Sequence, residues 1–183
     1  MNKKNELIEF ICKLSTNAIE YNAKVPIGNS WVLVAKESRN TSLDFITYEP
    51  VICIIIQGEK EVVSSDEVVY AGAGQTLIIT HDINVQARIE VIKIDRPYLA
   101  IVIPIDVQKL RGIALKMSFG EREEYEQSAI SVGTTSYELE DAVLRYLRFL
   151  HRPQEMDILA NSVLREIYFR VLNSEGASML REL

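Results

Sequence analysis

The chain has 183 residues, of which 48% are hydrophobic and 25% charged, with a formal net charge of −6. A domain of this length buries about 70% of its unfolded surface and needs no disulfide or metal staple. The acidic balance excludes an electrostatic grip on nucleic acid by this chain alone, because phosphate neutralisation needs clustered Lys and Arg and no such cluster occurs.

The first segment has a helical period: Leu7, Ile8, Ile11, Leu14 and Ala18 recur at three- and four-residue steps between Glu6, Glu9 and Lys13. The same charges break any continuous apolar stretch, so this is not a signal peptide. No later run reaches the length of a membrane span. The two cysteines, Cys12 and Cys53, lie in apolar segments and read as reduced core thiols. A soluble, cytoplasmic protein is expected. Asn22 to Ser30, with Pro26 and Gly28, breaks the pattern and reads as a connector, giving an N-terminal unit over 1–30.

From Trp31 the texture becomes β-like. WVLVAK, LDFITY, VICIIIQ, KEVVSS, EVVYA, QTLIIT, INVQARIEVIKID and YLAIVIPI are separated by turn residues, with SAISVG as one more strand. Their spacing points to an antiparallel sandwich or barrel over 31–132, and no helix-length segment separates them as a doubly wound sheet requires. VICIIIQ lacks alternation and is expected to be covered on both faces. In INVQARIEVIKID the apolar parity flips after Val91, the pattern a β-bulge leaves.

Beyond Ile105 helices return. DVQKLRGIALKM has Asp106 as its N-cap and Gly120 near its end, followed by a charged link, EREEYEQ. TTSYELEDAVLRYLRFLHR carries Leu139, Val143, Tyr146 and Leu150 on one face, capped by Thr135 or Ser136. DILANSVLREIYFRVLNSEG carries Val163, Ile167 and Leu172 and ends before Gly176. The two form a helical hairpin over 133–183. Its stripes fit a dimer interface (Leu139, Val143, Tyr146, Leu150, Val163, Ile167) and equally packing on the barrel, since a helical stripe does not say what it meets.

Motifs for chemistry are few. In AGAGQTLIITHD (residues 71–82) the glycines lead into a β-type run, so no helix N-terminus is available to hold a phosphate. His81 and His151 are the only histidines, too few for a three-ligand metal site. Cys53 sits in an apolar strand, where a thiol stays protonated. No catalytic residue, metal ligand or cofactor is assigned. Trp31, Tyr48, Tyr70 and Tyr98 fit an apolar pocket wall, with Arg88 and Gln86 pointing inward; each also fits a core or a wet sheet face.

The ordered phrases YEPVICIIIQGEKEV, YAGAGQTLIITHD and RPYLAIVIPIDVQKL, followed by ELEDAVLRYLRFLHRPQEM and the last helix, resemble the N-terminal regulatory domain of AraC-type transcriptional regulators from about Gly28 to the end. The resemblance implies an α+β fold. In it a cupin-like antiparallel β-barrel (double-stranded β-helix) senses a small-molecule effector, with an N-terminal helix before it and a C-terminal helical hairpin after it. It also implies a homodimer, DNA contacted only through a helix-turn-helix domain beyond Leu183, and no membrane partner. The family's sugar pocket finds no position-by-position match here, so sugar specificity is not implied. His81 stands where the family commonly has a small residue before the Asp, which makes it a candidate specificity position. The reading from a different class is a cupin-type metalloenzyme, an isomerase or dioxygenase.

Overall fold

The computed structural model describes residues 3–15, 20–65, 67–91, 95–117 and 128–183. The chain opens with α1 (Lys3–Leu14), whose Leu7 and Ile11 are buried as the stripe requires. Strands β1 (Glu20–Ile27), β2 (Ser30–Glu37), β3 (Asp44–Tyr48), β4 (Val51–Gln57), β5 (Glu59–Val63), β6 (Val68–Gly72), β7 (Gln75–Ile79), β8 (Ile83–Glu90) and β9 (Tyr98–Pro104) follow. Helix α2 (Val107–Ala114), strand β10 (Ile130–Thr134), helix α3 (Tyr137–Arg148), a short 3-10 turn, helix α4 (Pro153–Leu172) and the short α5 (Ser178–Glu182) complete it.

Two antiparallel sheets face one another, a six-stranded sheet in the order β1-β2-β9-β4-β7-β10 and a four-stranded sheet in the order β3-β8-β5-β6. This is the expected α+β class with its cupin-like arrangement, built from two separate ladders rather than one closed ring. The helices cover the outer face of the larger sheet, so the molecule has three layers and two cores. Ile52, Ile54, Ile101 and Ile103 point to the helices, while Cys53, Ile55, Tyr98 and Ala100 point to the smaller sheet. That two-sided burial explains the unbroken apolar run of VICIIIQ, in which Val51 to Ile56 are all buried.

One local difference from the sequence reading has a physical cause. The supposed connector contains β1, paired with β2 from Glu20↔Glu37 to Ile27↔Ser30. Pro26 is tolerated because β1 lies at the sheet edge, where no ladder hydrogen bond is lost. The described register shift lies between Ile55 and Gln57 on β4 against β9; the parity flip over 92–94 lies outside the described residues. Ala18, Gly120 and the EREEYEQ link also lie outside them.

Capping follows the side-chain chemistry. Asp106 accepts from the Lys109 backbone N–H to start α2, and Ser136 accepts from Leu139 N–H to start α3. α4 begins at Pro153 rather than at Asp157, since proline fits the first helical turn, where its missing N–H is not needed. The hairpin is sewn to the sheet by two buried phenols. Tyr146 donates to the Ile27 carbonyl at 3.2 Å, and Tyr168 donates to the Pro104 carbonyl at 2.8 Å. Burial pushes both phenols up to about 12. Among the described residues, no helix is long and apolar enough to cross a membrane.

Candidate functional site

Two places combine polar groups with the inner or end surfaces of the barrel. The first lies between the sheets. Lys60 and Val62 share the inner face of β5, opposite the outward Glu59 and Glu61, and Tyr48 points inward from the end of β3. The Lys60 ammonium donates to the Tyr48 hydroxyl and lies 5.0 Å from the centroid of that ring. Burial is the largest influence on this ammonium and disfavours it; Tyr48 and Cys53 together outweigh burial and hold its pKa above the ordinary lysine value. Among the described residues no carboxylate pairs with it. Cys53 and Tyr98 lie in the same core, and burial pushes the thiol up and the phenol well up. A thiol held protonated is not a nucleophile.

The second place is a cleft of about 510 Å³ where α1 crosses the end of the barrel. Lys4, Asn5 and Ile8 form its helical wall; Ile56 and Gln57, ending β4, form its floor. Ala73, in the glycine-rich turn, and Arg96, before β9, complete the lining beside Gly58. The turn joins β6 of one sheet to β7 of the other. Its Gly74 takes φ +87°, and its N–H donates to the Ile55 carbonyl at 2.8 Å. Gln57 Nε2 donates to the Pro97 carbonyl at 2.7 Å, fixing the segment that carries Arg96.

α1 is tethered at this position by charge. Lys3 Nζ lies 2.9 Å from Asp141 Oδ1 and Arg148 Nη2 lies 2.7 Å from Glu6 Oε2. Arg145 then bridges Asp141 (2.9 Å) and Glu166 of α4 (2.7 Å), so ion pairs run from α1 through α3 to α4. Hydrogen bonds from Lys3 and then Arg145 hold the Asp141 carboxyl below the usual carboxylate range.

The residues singled out from sequence do not converge on one pocket. Tyr48 and Tyr98 meet inside, as described. Trp31 is half-buried on β2 with Lys24 Nζ 4.3 Å from its ring centroid. Arg88 and Tyr70 lie on the outer face of the smaller sheet: Arg88 pairs with Glu61, opposite Tyr70, and Tyr70 is 52% exposed. The inward parity of β8 is instead that of Val85 and Ala87, so Gln86 also faces outward. His81 is exposed, its Nδ1 3.1 Å from Thr80 Oγ1. On the hairpin, Leu139, Val143, Tyr146, Val163 and Ile167 are buried within this chain and Leu150 packs partly against the same core. They meet the sheet and each other, and the apolar residues that α4 leaves exposed are Ile158, Leu159 and Phe169.

Lys60, Lys4 and Arg96 were not found from sequence. Lys60 sits in the alternation EKEV, where either parity carries a charge, and Lys4 and Arg96 are brought together only by folding. Among the described residues, no group of three or more His, Cys, Asp or Glu side chains is placed to hold a metal ion.

The model of the family "AraC-type transcriptional regulator N-terminus" matches residues 31–179. The crystal structure of apo ToxT K231A from Vibrio cholerae is similar in fold, with a TM-score of 0.54 at 10% identity over 79% of this chain and 55% of that one. The AraC-like transcriptional activator CuxR gives a TM-score of 0.52 at 10% identity, over 82% of this chain and 53% of that one. The chain thus spans about half the length of these structures. No curated protein matches it.

Proposed function

Because this chain belongs to the family of AraC-type transcriptional regulator N-termini, we propose that it senses a small-molecule effector, pairs with a second copy of itself, and passes its state to a DNA-binding domain elsewhere in the regulator. The observation that carries the sensing role is the cleft under α1. A ligand there touches both the helix and the barrel, and α1 is joined by ion pairs to α3 and through it to α4. Only a ligand that favours one placement of α1 over another shifts the regulator, and a ligand in this cleft would do so by holding the helix to the barrel.

For the second copy, the outer side of α4 is the better candidate surface than the buried stripes. Ile158, Ser162, Arg165 and Phe169 follow one another at four-three-four spacing, with Leu159 beside them. Such a seam suits an isologous helix pair. The acidic balance of the chain leaves operator contact to a separate, basic region.

Sedimentation of the 183-residue chain over a range of concentrations tests the pairing. A dimer that dissociates in Ile158→Glu and Phe169→Glu supports it, and a monomer at every concentration removes it. Melting curves recorded with a panel of neutral sugars, nucleosides, amino acids and organic acids test sensing, since a ligand of the folded state raises the midpoint by mass action. A panel without any stabilising member counts against it.

A further inference from the structure

We propose that the cleft between α1 and the barrel end takes a small organic anion, its acidic head between Lys4 and Arg96 and its apolar part against Ile8 and Ile56. This names a ligand class for the sensing role proposed above and rests on that role for its regulatory meaning.

The charge pattern of the lining argues for an anion. Among the described residues that line it, the two ionisable ones are both cations and none is Asp or Glu. Arg96 is exposed and forms no ion pair among the described residues. Lys4 stands in the first turn of α1, where the unpaired helix N–H groups already carry positive partial charge. Glu6 supplies the acidic residue usual in such a turn and is paired with Arg148, while lysines hold positions 3 and 4 and Lys3 is matched by Asp141. Lys4 also interacts with the carboxyl of Glu140 on α3, which does not line the cleft. Two cations on the described wall of one volume, with no described carboxylate beside them there, favour a guest that carries negative charge.

Size and polarity narrow the guest further. About 510 Å³ accommodates a metabolite rather than a bare ion. The remaining lining offers aliphatic surface from Ile8, Ile56 and Ala73, with amides from Asn5 and Gln57. The fitting molecule therefore has one acidic end and an apolar body. A guest bound in this way bridges residues 4 and 8 of the helix to residues 56 and 96 of the barrel, and so holds α1 down.

Calorimetric titration of the 183-residue chain with hexanoate, benzoate and phenyl phosphate tests the assignment. Hexanamide, benzamide, phenol and inorganic phosphate are titrated beside them. At least one organic anion is expected to bind, with its neutral counterpart about tenfold weaker or worse. The carboxylates and phenyl phosphate separate the two kinds of acidic head. Lys4→Gln and Arg96→Gln should each weaken that anion about tenfold, with melting curves unchanged, while Lys116→Gln, beyond α2, leaves it as it was. Absence of binding by all three anions, equal binding of the neutral compounds, or an unaffected Arg96→Gln overturns the assignment. If a neutral metabolite stabilises the domain while the anions do not bind, the anion assignment falls and sensing stands. If the anions bind here but leave hydrogen exchange of α1 unchanged, the assignment stands and the sensing role falls.

Discussion

On the helix side of the six-stranded sheet the packed side chains are almost wholly aliphatic and aromatic, and its two phenols are satisfied by backbone carbonyls. On the other side a smaller core of Cys53, Ile55, Val62, Ala71, Leu77, Val85 and their neighbours surrounds a lysine whose hydrogen bond is to Tyr48. One sheet thus serves two interiors with different physics. The first gains from apolar area removed from water, on the order of 1.5–3 kcal/mol for each large side chain. The second encloses a cation that is held by the Tyr48 hydroxyl, with no carboxylate paired to it among the described residues. The lesson is that stability and polarity are separated by the sheet, and substitutions on its two sides should behave differently.

The largest difference is expected for cavities. Leu147→Ala, in the helix-side core, should cost about 2–5 kcal/mol, and Leu77→Ala, in the smaller core, should sit at the low end of that range. Urea denaturation measures both, and an equal or larger loss at Leu77 would break the contrast. Next is Tyr48→Phe, which leaves the Lys60 ammonium without its acceptor and should cost about 1–3 kcal/mol. Lys60→Met removes the charge together with its need for a partner. It should be within about 1 kcal/mol of wild type or more stable, because an apolar side chain replaces an incompletely paired cation. A large loss there would mean that the lysine holds the barrel together.

The smallest effect concerns α1. The Asp141 carboxyl has a folded pKa held below its ordinary 3.8, chiefly by Lys3. Its contribution is therefore fully present above the unfolded value and is lost as pH falls through the folded one. Amide NMR of α1 between pH 7 and about pH 3 should show the helix loosening only at the acidic end. In Asp141→Asn the helix should be looser already at neutral pH. Screening limits the effect, since these side chains are partly exposed.

The extent to which the sequence could be read differs between elements. Period and caps found the helices, because Asp106, Ser136 and the apolar stripes act within one or two turns of the chain. The strands from WVLVAK onward were legible for the same local reason. β1 was not, since Pro26 forbids a central strand and only its place at the sheet edge permits it. The glycine-rich stretch was correctly a turn between strands, but its position against α1, where Ala73 lines a cleft, carries no local mark.

By itself, then, the sequence determined the element types other than β1, the antiparallel character of the barrel and membership of a regulator family, all of which rest on local preference or ordered phrases. Only the tertiary structure decided which parity of β8 faces inward, placing Arg88 beside Glu61 on the outside and Ala87 within. It also decided that the stripes of α3 and α4 are consumed by packing in this chain, leaving Ile158, Leu159 and Phe169 outside. A period marks a face but not its neighbour. The meeting of Lys4 with Arg96 is of the same kind: residues far apart along the chain share a cleft only once the helix has docked on the barrel.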